Sequence, residues 1–339
     1  MINKLTYILI ILSTYLFGQD IHFSQFNDLP LNLNPAQSGN MDGTFRAGTI
    51  YRNQWNSVSV PFESTGLYAD FKSYPKFLNG KVIGLGVQLL NDRSGTGGLI
   101  ENVLSFNGSY HYFLNTKKDQ LLIAGISLGL FQKSIDLSKL NFENQFLYQT
   151  ANFGNISSNE NFENNSITRP DIGLGIAWTS FSQLGHQITA GISTAHINSP
   201  KQSFYGINDR LASRTNIHSN LVYSINKQIN INPSVLVMIQ NGNINTVLGV
   251  DLTHSLGRKT IEKIDLKLGL YGRLGDAMSF IVGLNHDNWS INVAYDLNLS
   301  TLVPASETRG AFEISISYVN RMYKGIKNQK YIVPAIRLL

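Results

Sequence analysis

The sequence has no cysteine, so no disulfide framework supports its fold. For the same reason an acylated N-terminal cysteine is excluded, and the chain is not expected to be a lipoprotein. Charge is also scarce: Asp, Glu, Lys and Arg make up 14%, where about a quarter is usual. Soluble surfaces are normally built from these four residues. Asn, Ser, Gly and Tyr stand in for them here, which suits a surface partly in lipid. The formal charge of +5 is diffuse. No basic run tracks a phosphate backbone, so nucleic acid is not an expected partner. Beyond the N-terminus the longest apolar run, LLIAGISLGLF, falls far short of the ~18–20 residues of a helical span. If the chain crosses a membrane, it does so with strands.

What is present begins with MINK, a short basic start, followed by LTYILIILSTYLF and then Gly18 before Gln19. This order matches a secretory signal. Residues 1–18 are therefore expected to be a cleaved signal peptide.

From there to the C-terminus, two-residue alternation bounded by turn residues dominates. Candidate strands lie at 44–55, 62–72, 81–91, 103–113, 120–133, 171–181 and 186–197. A second set lies at 213–225, 229–240, 244–254, 265–273, 278–286, 289–298 and 309–319. In SINVAYDLNLS, Ile291, Val293, Tyr295 and Leu297 share one face, and Asn292, Ala294, Asp296 and Asn298 the other. In DIGLGIAWTS, Ile172, Leu174, Ile176 and Trp178 oppose Gly173, Gly175, Ala177 and Thr179. A soluble sandwich places long polar side chains on its solvent face. Here the second face is Gly, Ser, Ala, Asn and isolated charges, as in a barrel lumen. The expected fold is all-β: a closed antiparallel transmembrane β-barrel of about 14 strands.

Counted from the periplasm, even-numbered connections are short (LNTKK, SQLG, NKQ, LGRKTIEK). Odd ones include NDRSGTGGLIEN, an Asn-rich stretch of 134–170, 198–212 and NLSTLVPASETR; 241–243 and 274–277 are short exceptions. Short periplasmic turns and longer extracellular loops are the outer-membrane pattern. The expected organisation is a signal peptide (1–18), an N-terminal segment compatible with a small plug (19–43), a barrel (44–319) and a periplasmic tail (320–339).

Catalytic signals are weak. The seven histidines have no metal-ligand spacing, and polar residues near the lumen or strand ends account for them. His286–Asp287 and His254–Ser255 lack an assignable third partner for a hydrolytic site. Gly84-x-Gly86 and Gly173-x-Gly175 lie within strands and open no helix, so they are not dinucleotide loops; GRKT at 257–260 lacks the upstream glycine of a phosphate loop. The inward charges Arg46, Arg52, Asp296 and Glu313 are expected to pair as a buried ionic network, since unpaired charges in a closed lumen are costly. No catalytic residue, cofactor or metal is expected.

The stretch QDIHFSQFNDLPLNLNPAQSG, leading to FRAGTIYRNQW, resembles the opening of the PorP/SprF family of the type IX secretion and gliding apparatus of Bacteroidota. Its matching positions include Asn34, Pro35, Gly39, Tyr51, Arg52, Gln54 and Trp55. The similarity continues through IDLSKLNFENQF, RPDIGLGI (Pro170, Asp171) and HINSPKQSF. It ends in YDLNLSTL (Tyr295) and GAFEISISY (Gly310). The family tail often carries Cys-Pro; here Val333 precedes Pro334. The resemblance implies a non-enzymatic outer-membrane barrel that anchors or helps export a cell-surface adhesin, bound by the adhesin's C-terminal domain. It also implies docking of periplasmic or lipoprotein components. Within the resembling stretches, Arg52, Asp296 and Glu313 fall on the first, thirteenth and fourteenth strands, neighbours in a closed barrel. They are expected to form an ion-paired cluster that fixes the N-terminal segment with Asn34 and Pro35. A second reading is an outer-membrane transporter of hydrophobic small molecules, like the fatty-acid channel family, with the same segment as a hatch.

Overall fold

A computed structural model describes residues 20–56, 60–75, 81–154, 157–182, 185–256 and 264–320. The expected signal segment, residues 321–339 of the expected tail and GRKT lie outside them. Among the described residues fourteen antiparallel strands close into one barrel. They are β1 (Phe45–Gln54), β2 (Phe62–Ser73), β3 (Val82–Ser94), β4 (Leu99–Phe113), β5 (Gln120–Ser134), β6 (Ser166–Phe181) and β7 (Gln187–Ala195). Round the other half run β8 (Arg214–Ser224), β9 (Ile229–Gln240), β10 (Asn243–Ser255), β11 (Ile264–Arg273), β12 (Ala277–His286), β13 (Trp289–Asn298) and β14 (Arg309–Asn320). Each strand pairs with the next, and β14 returns to β1 in register from Phe45↔Asn320 to Gln54↔Ala311. No described helix is long and apolar enough to cross a membrane.

The alternation read from the sequence sorts the wall into two faces. Leu174 and Ile176 point outward, Ile176 with 53% of its surface exposed, while Asp296 on the inner parity is 1% exposed. Large aliphatic and aromatic side chains cover the outside of nearly every strand. In a barrel that surface faces lipid, where exposed carbon needs no further cover.

Two connections differ from expectation. NDRSGTGGLIEN is not a long loop: β3 and β4 stay paired out to Ser94↔Leu99 and reverse in a tight turn with Gly95 and Gly98 at positive φ. Unbroken cross-strand partners carried the strands through polar sequence. Likewise β6 starts at Ser166, because Leu130–Ser134 pair with Pro170–Ser166. Pro170 is tolerated there because β7 begins its pairing with β6 only at Leu174, leaving Pro170 on a locally free edge. The remaining loop, 135–165, contains a two-residue hairpin, Phe146–Leu147 with Asn152–Phe153. Together with 196–213 and 299–308 it gives one end of the barrel its long loops.

Residues 20–43 lie inside the barrel. They run from the long-loop end, where Asp20 meets Gln240, to the short-turn end, where Thr44 joins β1 beside Asn320. The apolar core is the contact between this segment and the wall. Phe23, Leu29 and Leu31 pack with Ile50, Tyr68 and Leu90. Phe26 and Leu33 pack with Leu236, Val247, Tyr271 and Ile281.

Candidate functional site

The lumenal segment consists of short helical turns, Phe26–Asp28, Pro30–Leu33 and Pro35–Gln37, two of them opened by a proline whose missing N–H costs nothing at that position. Turns this short leave most of their backbone groups unpaired, so the wall must supply partners. Ser193 Oγ donates to the Leu33 carbonyl at 2.7 Å and Asn216 Nδ2 at 3.0 Å. The Ser38 carbonyl accepts from Ser109 Oγ at 2.6 Å and His111 Nε2 at 3.0 Å. Asn34 accepts from Ala36 N at 2.9 Å and donates to the Ile176 carbonyl at 3.1 Å. The inward polar residues of the strands thus match the backbone of residues 32–39.

Close approach explains the strand glycines. A Cβ on Gly175 would collide with the Asn34 side chain, and one on Gly125 with the backbone of Pro35 and Ala36. A Cβ on Gly84 would strike the Ser38 carbonyl.

Three ionic clusters hold the segment. At the closing seam Arg52 and Glu313 stand opposite each other in register and form a salt bridge. Arg52 Nη1 also reaches Asp296 at 2.9 Å. Into this pair the segment inserts Ser24. Its N–H donates to Glu313 Oε1 at 2.7 Å, and its hydroxyl donates to Asp296 Oδ2 at 2.8 Å while accepting from Arg52 and Arg273. The Gln25 N–H completes the set on Glu313 Oε2 at 3.0 Å.

A second cluster lies at the long-loop end. Asp20 Oδ2 meets His196 Nε2 at 2.7 Å and Arg214 Nη1 at 3.1 Å, and Gln240 Nε2 donates to Oδ1 at 2.7 Å. His196 Nδ1 meets Asp171 at 2.8 Å. Burial by itself would lower the His196 pKa, but the flanking Asp20 and Asp171 carboxylates raise it to about 9. Burial would likewise raise that of Asp20, and Arg214 and His196 overcome it, holding the carboxyl well below its usual range. The third cluster is Arg46, bidentate on Asp70 at 2.9 Å, with Asp70 accepting from the Gly39 N–H at 2.8 Å. Gly39 has φ +66°, a conformation that favours glycine.

The sequence model of the type IX secretion system membrane proteins PorP/SprF matches residues 16–318. The chain belongs to this family. Among solved structures it is similar to the Pseudomonas putida toluene transporter TodX at 12% identity, covering 91% of this chain and 100% of that one, with a TM-score of 0.53. The Ralstonia pickettii toluene transporter TbuX is similar at 12% identity over 85% and 92% of the two chains, with a TM-score of 0.49. At such identities the likeness is one of fold. No curated protein matches the sequence.

This PorP/SprF-family chain is therefore an outer-membrane barrel of the type IX secretion system, and its long-loop end is extracellular. Arg52, Asp296 and Glu313 come together in it, while Asn34 and Pro35 lie apart from them, against β5, β6 and His218 of β8. Arg46 is separated from that cluster: it sits six residues earlier on β1, roughly 20 Å along the strand, and pairs with Asp70 instead. Of the other family-motif residues, Asp171 joins the second cluster and Pro170 accepts from Asn198 at 2.7 Å. Trp55 packs edge-on against Phe62 at 5.4 Å, Gln54 accepts from Arg52, and Tyr51 donates to Glu63 at 3.2 Å. Tyr295 faces lipid, and a Cβ on Gly310 would lie 2.5 Å from the Asp296 carbonyl.

Sequence reading missed Ser24, Asp20, His196, Arg214, Arg273 and Asp70 as participants. The inward parity of the last three was a usable signal. Asp20 and His196 lie in the resembling stretches QDIHF and HINSPKQSF, but nothing local pairs them, because they stand 176 residues apart in sequence. Among the described residues no group of three or more His, Cys, Asp or Glu side chains is arranged to hold a metal ion.

Proposed function

We propose that this barrel is a non-catalytic anchor of the type IX secretion system. It holds an exported adhesin at the cell surface by the adhesin's C-terminal domain, and it docks periplasmic or lipoprotein components at its other end. Residues 19–43 act as a plug, fixed at the seam by Arg52, Asp296 and Glu313 and seated by Asn34 and Pro35. Residues 1–18 are removed on export, and the chain beyond Asn320, which is itself the last residue of β14, forms a periplasmic tail. The observation that carries this reading is the continuous bonding of the lumenal segment to the wall from Asp20 to Gly39, which leaves the barrel a scaffold for its loops.

The outer loops supply a structured surface for such a role. Loops 135–165 and 196–213 pack together through Phe162 on Tyr205, with centroids 4.5 Å apart, and Glu163 N–H donating to the Phe204 carbonyl. Tyr148, 80% exposed, and Phe153 stand above the membrane on the small hairpin. Loops of this kind carry recognition.

Deleting 140–160 should remove adhesin from intact cells while barrel abundance stays unchanged. Liposome swelling provides the opposing test. Wild-type barrel should admit no solute, and permeation would favour a transporter of hydrophobic small molecules instead.

A further inference from the structure

A depression of about 610 Å³ interrupts the lipid-facing wall across the closing seam. Two alanines create it. Ala47 stands opposite Tyr318 on one side and Ala69 on the other, and Ala69 stands opposite Val87. One row toward the membrane centre, Thr49 lies between Ile316 and Leu67. One row toward the periplasm, Phe45 faces Phe71. The two methyl groups are therefore surrounded by longer side chains, and the wall is hollow by the length those chains exceed them. At the periplasmic side Trp289 and Tyr318 pack with their rings tilted and centroids 4.9 Å apart, at the level where aromatic side chains gather near a membrane–water boundary.

We propose that this hollow is a binding site for one acyl chain of a phospholipid in the periplasmic leaflet. The hollow is continuous with the lipid-facing belt and opens onto hydrocarbon. Its lining is mostly apolar, so water gains few polar partners there, and an empty hollow forfeits dispersion contacts along that lining. A flexible, unbranched chain can follow a floor of Ala and Thr between Leu, Val and Ile flanks, with its headgroup end beside Trp289 and Tyr318. The floor is also thin. On its lumenal side the Tyr68 ring lies over Gly48, and Tyr68 lies 5.7 Å beneath the Arg46 guanidinium that holds Asp70. Bound lipid would thus back directly onto the foot of the lumenal segment. The inference does not depend on the adhesin reading.

Native mass spectrometry of the barrel in mild detergent tests it. Wild-type protein should retain one phospholipid, and the paired substitution Ala47→Leu/Ala69→Leu should reduce that adduct severalfold. An equal adduct on both proteins, or a wild-type dimer mass in place of the lipid, overturns the proposal. A second measurement needs no filling variant. With Trp55 and Trp178 changed to Phe, Trp289 is the remaining tryptophan. Phospholipid brominated on its acyl chain should quench it beyond the lipid's bulk mole fraction in vesicles. Quenching that only follows the mole fraction rejects the site.

Discussion

Asp296 receives Arg52 at 2.9 Å, Arg273 at 3.6 Å and the Ser24 hydroxyl at 2.8 Å with almost no water contact. Removing the carboxylate leaves two arginines short of a partner in a closed lumen, a loss of roughly 3–5 kcal/mol. Asp296→Ala should therefore loosen the lumenal segment and lower surface adhesin while the barrel still assembles. Flow cytometry of intact cells against total barrel is the measurement, and full display at normal barrel levels would sink the role assigned to the cluster. His196 gives a pH signature. Its folded pKa is raised from 6.5 to about 9, so its stabilisation is complete below 6.5 and is lost as pH rises through about 9. Near neutral pH this amounts to on the order of 2–3 kcal/mol. Protease access to the lumenal segment should accordingly rise between pH 7 and 10 in the wild type, and His196→Gln should flatten that rise.

At the level of one strand, β6 shows how faces are assigned. Leu174 and Ile176 meet lipid, while Gly175 meets Asn34. An arginine at Leu174 near the bilayer midplane costs ~2–4 kcal/mol. Leu174→Arg should reduce the heat-modifiable, folded band in outer-membrane fractions, and normal assembly would mean that the faces are reversed. Gly175→Leu makes a different demand on the same strand. It leaves the lipid face intact and drives its side chain into Asn34, so the barrel should assemble with its lumenal segment protease-sensitive. Comparing the two variants separates wall stability from the fit of the segment.

For the whole molecule, the unequal connections at the two ends set its orientation. A tag near Asn159, in the 135–165 loop, should be labelled on intact cells. A tag at Lys117–Lys118, in the short turn between β4 and β5, should be labelled only after the outer membrane is opened. Equal labelling of both would invert the topology. The tight turn at 95–98 refines this picture, since β3 and β4 rise as a paired ribbon where the sequence suggested a loose loop. The extracellular face is therefore dominated by the loops 135–165, 196–213 and 299–308.

The sequence alone determined the strands, their two faces and the closure of β1 on β14, because side-chain alternation is local and lipid enforces it on each strand separately. The pairing of Arg52 with Glu313 was legible for the same reason: two inward charges on strands that must be neighbours have few other partners. Arg46 was misgrouped because parity gives a residue's face and says nothing of its height along the barrel. Only the tertiary structure decided that Asp20 meets His196 and Arg214, that Ser24 enters the seam cluster, and that Gly84, Gly125 and Gly175 make room for residues 34–38. These contacts join the N-terminal segment to strands more than a hundred residues away in several cases, and the path of that segment follows from no periodicity. It follows from shape, from backbone groups that its short turns cannot satisfy internally and from the inward polar side chains that satisfy them.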